Sequence, residues 1–152
     1  MPIRPADVAD HAFIFDLVSR FTEFPLPATR TRGMVDAGIR RDLERLLRER
    51  PPTSFPYVLE EEDGGRAGFL HLQLLEDFFT GGRNCHVSDL AVAPGHEGRG
   101  HGRGMLAFAE AFARERGCER LTLSVFPGNA RARALYESEG WEYELLRMAK
   151  AL

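Results

Sequence analysis

"SDLAVAPGHEGRGHGRGMLAFAEAFARERG", Ser88 to Gly117, is the stretch on which the reading of this chain turns. It opens on an apolar, β-prone run and passes through a loop with glycine at 95, 98, 100, 102 and 104. It closes on Met105, Phe108, Ala109 and Phe112, which recur at helical spacing, with Gly117 as a C-cap. Strand, bare-backbone loop and helix in that order expose successive N–H groups as an anion nest at the positive end of a helix. Arg99 and Arg103 add guanidinium groups able to bond phosphate oxygens. A loop with no ligand would carry the ordering entropy of five glycines with nothing to offset it. The stretch is therefore expected to hold a diphosphate.

Two other phosphate loops fail on register. A nucleotide P-loop needs Lys and then Ser or Thr after its last glycine, where this chain has Arg103, Gly104 and Met105. A dinucleotide fingerprint, G-x-G-x-x-G, fits no register of glycines at 98, 100, 102 and 104.

Outward from that loop, 152 residues suit one domain, taken as 1–152, with a core that needs no metal or disulfide. A net charge of −3 lacks the basic excess of a nucleic-acid binder. Two cysteines without CxxC spacing read as free thiols in a reducing compartment, and no zinc cluster is present, so no metal is expected. The start, "MPIRPADVAD", is not a signal peptide, and no run is long enough to span a membrane. The expected location is cytoplasmic.

"PIRPA" reads as a short edge strand, and apolar spacing from Asp10 to Phe24 and from Val35 to Arg50 predicts two helices. Strands follow at Tyr57–Glu61, Ala67–Leu75 and Cys85–Val92, then the Met105–Arg116 helix and the alternating strand "LTLSVF". Asn129 caps a helix that ends near Gly140, and Trp141–Leu152 is a last extended segment. The order predicts an α/β fold with a mixed sheet and helices on both faces.

At Glu97–Gly102 the sequence resembles the Q/R-x-x-G-x-G/A loop of the GCN5-related N-acetyltransferase (GNAT) family, with Glu97 where Gln or Arg is usual. "NARARALYESEGW" is similar to a second motif of that family, with Trp141 in place of Phe. The resemblance implies an acyl-CoA N-acyltransferase fold in which acetyl-coenzyme A lies between two splayed parallel strands, here Cys85–Val92 and Leu121–Phe126. It assigns coenzyme contacts to Leu90, Ala91, Val92, Gly98, Arg99, Gly100, His101, Gly102, Arg103, Gly104, Asn129, Arg133 and Tyr136. The Val92 N–H would polarise the thioester carbonyl, and Glu97 would point away from the diphosphate. A homodimer through the last segment is also implied.

The implied reaction is attack of an amine on the thioester, the acceptor being a small molecule or a peptide. The resemblance, through the family's L-Y pair, makes Tyr136 the general-acid candidate, and it shares a helix face with Asn129 seven residues before it. The base is open between His86, Asp89 and water. Ser124 stands where some members carry a Glu and cannot serve. Strand alternation sets His86, Ser88, Leu90 and Val92 on one side and turns Asp89 to the other unless a bulge intervenes. Phe24 and Glu23, at the end of the first helix, and Glu76, in a turn, are acceptor-binding candidates, whereas Arg30 and Arg32 would favour a carboxylate on the acceptor. His71 has no assigned role. A coenzyme-sensing module without catalysis, or transfer of a longer acyl group, are the alternative functions.

Overall fold

The structure is a computed structural model and describes residues 2–152. Its centre is a five-stranded sheet in the order β1 (Ile3–Pro5), β2 (Ser54–Glu60), β3 (Arg66–Glu76), β4 (Arg83–Val92) and β5 (Arg120–Leu123). The first four strands run antiparallel, and β5 joins β4 in parallel. Helices α1 (His11–Asp16) and α2 (Arg32–Glu49) precede β2; α3 (His101–Glu115) and α4 (Ala130–Ser138) flank β5.

Each face of the sheet has its own apolar cluster. Met105, Ala109 and Phe112 of α3 meet Leu59, Leu70, Leu72, Cys85 and Val87 on one face. Ile14, Val18 and Leu43, from α1, the turn after it and α2, meet Val58, Phe69 and Ala91 on the other. Burying one such large side chain contributes about 2 kcal/mol. Gly68 lets α3 close on the sheet, since a Cβ there would stand 3.0 Å from the Ala91 carbonyl and 3.1 Å from Met105 Cε.

Local chemistry sets the ends of the helices. Thr31 Oγ1 accepts the Met34 N–H at 3.2 Å, and Asn129 Oδ1 accepts that of Ala132 at 3.2 Å, each satisfying an orphan donor. The first helix is shorter than its spacing predicts. Its ends tighten into 3₁₀ turns at Val8–Asp10 and Val18–Thr22. Asp10 explains the first turn: its fully buried carboxylate accepts Arg4 Nη1 and Nη2 at 2.7 and 2.9 Å, Arg66 Nε at 2.6 Å and the Asp7 N–H at 2.8 Å. That knot ties β1, β3 and the start of α1 together.

Three sequence expectations are corrected. β2 begins at Ser54, three residues before the predicted start at Tyr57. β5 ends at Leu123, three residues short of the predicted alternation. Trp141–Leu152 forms no strand. A fourth correction matters most. His71 pairs with Asp89 but Leu72 pairs with Val87, which leaves Ser88 as an extra residue in β4. After this bulge the faces exchange parity. Cys85 and Val87 join Leu90 and Val92 on the α3 face, while Asp89 and Ala91 turn to the α1–α2 face. Hydrogen bonds to Thr122 and Gln73 place His86 and Ser88 on that second face as well. His86 and Asp89 therefore share a side, and His86 does not share one with Leu90 and Val92.

Candidate active site

β4 and β5 pair only from Asn84↔Arg120 to Val87↔Leu123. Beyond that the strands part, and among the described residues Ser88–Val92 has no strand partner on its β5 side. Backbone direction alternates along a strand. The Ala91 carbonyl faces Gly68 of β3, and the Ala93 N–H bonds Ala67 of β3 at 2.8 Å. Leu90 and Val92 thus turn their N–H and C=O groups into the opening. Ala91, assigned a coenzyme contact by resemblance, turns its main chain to β3 and its methyl group into the core.

The loop after β4 reaches α3 through Gly95, Gly98 and Gly100, all with φ between 75° and 82°. No side chain caps α3. Among the described residues, the amides of Gly98, Arg99, Gly100, Gly102 and Arg103 have no acceptor. The Gly104 N–H does have one, Gly100 O at 3.0 Å, so Gly104 leaves the donor set. Glu97 bonds Arg20 and takes the Gly95 N–H at 2.9 Å. Its own amide, Arg20 and the Gly95 amide hold its carboxyl below the usual range.

The basic side chains of the loop already have acidic partners. Glu61 Oε1 accepts His96 Nδ1, His101 Nε2 and Arg99 Nη1, each at 2.9 Å. The two imidazoles, then the guanidinium, hold Glu61 down to about 2. Glu61, His96 and His101 offer ligand atoms within 4.8 Å of one another, but a guanidinium on the same carboxylate oxygen makes the group an ion-pair network. Arg103 reaches Glu139, the C-cap of α4, at 2.6 Å. Gly102 allows α3 to approach α4: its missing Cβ would sit 3.1 Å from Leu135 Cδ2.

α4 lies beyond the opening. Asn129 Oδ1 is engaged in the cap, and Arg133 bonds Pro127 O and Tyr143 Oη, both at 2.8 Å. Tyr136 packs on Trp141 with ring centroids 5.8 Å apart. Burial raises its phenol above the ordinary tyrosine value, so it remains a proton donor at neutral pH. Its hydroxyl has no hydrogen-bond partner among the described residues.

On the α1–α2 face the sheet carries a row of polar side chains. His86 Nδ1 lies 2.7 Å from Thr122 Oγ1. Burial lowers the His86 pKa, an effect the Asp89 charge opposes and His71 assists, which keeps the imidazole neutral near pH 7. Ser88 Oγ donates to Gln73 Oε1 at 2.8 Å. Asp89 Oδ2 stands 3.0 Å from His71 Nδ1, and His71 Nε2 stands 2.7 Å from Ser54 Oγ. Phe24 meets Phe126 at 5.9 Å, and Glu23 is exposed beside Arg20 at 3.5 Å. Glu76 is corrected. It pairs with Arg83 at the far end of β4, about 16 Å of strand from Ser88, too far to touch an acceptor at the opening.

A nest of amides follows directly on a strand edge left without a partner. The family model of the acetyltransferase (GNAT) family matches residues 14–141, most of the chain. The chain is a GNAT acetyltransferase. It is 30% identical over 142 residues to YhfO of Bacillus subtilis (strain 168), an uncharacterised N-acetyltransferase, covering 93% of this chain and 90% of that one. It is 36% identical over 87 residues to the streptothricin acetyltransferase of Streptomyces lavendulae, covering 57% of this chain and 44% of the relative. In fold it is similar to a ribosomal-protein-alanine N-acetyltransferase of Brucella melitensis biovar Abortus 2308, with a TM-score of 0.73, 19% identity and 99% of each chain covered.

For this acetyltransferase, sequence reasoning located the glycine loop and the two strands that part. It did not bring Ser54 and His71 into one hydrogen-bonded row with Asp89. Their partners are 17 and 18 residues away along the chain, and only the register of three strands brings them together.

Proposed function

We propose that this acetyltransferase moves the acetyl group of acetyl-coenzyme A to a primary amine. The observation that carries this reading is the run of unpaired strand edge at Leu90 and Val92, which leads directly into the amides of Gly98, Arg99, Gly100, Gly102 and Arg103, none of which has an acceptor among the described residues. These residues fit the coenzyme: the loop offers several N–H donors to a diphosphate, and the strand edge offers alternating donors and acceptors to an amide-bearing arm. The coenzyme supplies an activated acyl group as a thioester.

The protein's part follows from the placement of its side chains. The Val92 N–H faces the opening and stabilises charge on the thioester oxygen. His86, neutral and with Nε2 unengaged, takes the proton that the ammonium must lose before attack, directly or through water. As the amine nitrogen bonds to the carbonyl carbon and the carbon–sulfur bond breaks, Tyr136 gives its proton to the departing sulfur, and the second proton shed by the nitrogen as the amide forms passes through water to restore the phenol.

One relative is named for streptothricin and another for mycothiol, so small-molecule amines are the first acceptors to test. Calorimetry with acetyl-coenzyme A, and thiol release across a panel of amines and peptides, test the proposal. Coenzyme binding with amine-dependent thiol release is expected. Failure to bind the coenzyme overturns the reading, and binding without release from any amine converts it to a sensor.

A further inference from the structure

We infer that Asp89 anchors the ammonium group of the acceptor and that His71 and Ser54 hold it on aim. The inference rests on the N-acetyl transfer reading and adds an acceptor site with a stated chemistry, a protonated primary amine.

The position comes from the bulge. Without Ser88 as an extra residue, Asp89 would face α3; with it, the carboxylate lies on the α1–α2 face, two residues past the last β4–β5 pair. His86, the proposed base, is on that face and within electrostatic reach of Asp89. A cation held at Asp89 is thus placed beside both the opening and the group that deprotonates it.

The support behind the carboxylate fixes its direction. His71 is 1% exposed, stacks on Phe69 and has both ring nitrogens engaged. A carboxylate accepts only, so the hydrogen-bond network assigns the proton to Nδ1, donated to Asp89 Oδ2. Nε2 then accepts the hydroxyl proton of Ser54, which lines a cleft of about 250 Å³ between β2 and α2. The tautomer is locked from behind, and the carboxylate cannot turn without breaking its part-buried bond to His71.

What remains unfilled points to the ligand. The Asp89 side chain is 12% exposed, and Oδ1 has no partner among the described residues. No arginine or lysine pairs with it there; Arg20, on the same side, is held by Glu97 and Glu23. A largely buried carboxylate with one donor and an open oxygen is under-satisfied, and a primary ammonium supplies both the charge and the N–H groups it lacks.

The test titrates the protein with n-butylammonium chloride and, separately, with n-butanol, read by NMR at the amides of Asp89–Ala91. A saturable shift with the ammonium and none with the alcohol is expected. Asp89→Asn should weaken the apparent Kd by roughly tenfold, the scale of one charge-assisted hydrogen bond. His71→Phe should weaken it several-fold, and His71→Asn should restore it, because the Asn amide donates from near the place of Nδ1. A merely structural His71 would give no such rescue. Unchanged acetyl-coenzyme A affinity verifies that each variant folds, and the ammonium-against-alcohol comparison stands on the native protein alone. Equal shifts with both probes, no saturable shift, or an unchanged Kd in Asp89→Asn overturns the anchor. Loss of the transferase reading looks different, since native protein would then fail to bind acetyl-coenzyme A or to release thiol.

Discussion

The Tyr136 phenol is half-buried against Trp141, carries a raised pKa and has no acceptor among the described residues, which suits the proton donor proposed for the departing thiolate. Tyr136→Phe keeps the ring and its packing and removes only the proton. Turnover should fall roughly a hundredfold while acetyl-coenzyme A affinity, read by calorimetry, stays the same. Asp10 makes the opposite kind of prediction, one of stability. Asp10→Ala leaves Arg4 and Arg66 facing each other with no carboxylate between them, and thermal melts should show a loss of about 3 kcal/mol. Tyr136 stands out in the sequence because the second family motif, "NARARALYESEGW", carries it. His71 does not, because nothing local distinguishes a core histidine from one that holds a distant carboxylate.

At the scale of elements, the loop before α3 and the turn before α4 carry the tightest constraints. Gly100 has φ of 80°, where a side chain costs about 1 kcal/mol of strain. Gly100→Ala should therefore weaken acetyl-coenzyme A binding about five-fold by calorimetry and leave turnover at saturation nearly intact. Gly128 is limited by space: a Cβ there would stand 2.0 Å from the Pro25 carbonyl oxygen. Gly128→Ala must part the Phe24–Phe126 contact beside the opening, so acceptor KM should rise in steady-state assays more than coenzyme affinity changes. Strands, helices and their order were readable because apolar period and turn residues are local signals. The single extra residue at Ser88 was not, since a bulge leaves alternation looking unbroken on either side. Nor was the early end of β5. "LTLSVF" alternates to its last residue, yet Ser124–Phe126 departs from the sheet.

Across the whole molecule, ion pairs between distant segments set the response to acid. The Asp10 carboxyl lies far below its ordinary value through Arg4, the Asp7 amide and Arg66. Asp77 is held down to about 2 by Asn84, the Thr80 and Phe79 amides and Arg120. Each group has a folded pKa below its unfolded one, so its contribution is complete above about pH 4 and is lost as the pH falls through the folded value. Melting temperature should hold steady above about pH 5 and drop steeply toward about pH 2, with a shallower drop in Asp77→Asn. No helix among the described residues is long and apolar enough to cross a membrane. The gap between β4 and β5 reaches further than chemistry. An architecture left incomplete until its cosubstrate arrives is sturdiest when acyl donor is plentiful, so proteases in a starved cell would thin this enzyme's ranks before transcription had changed at all.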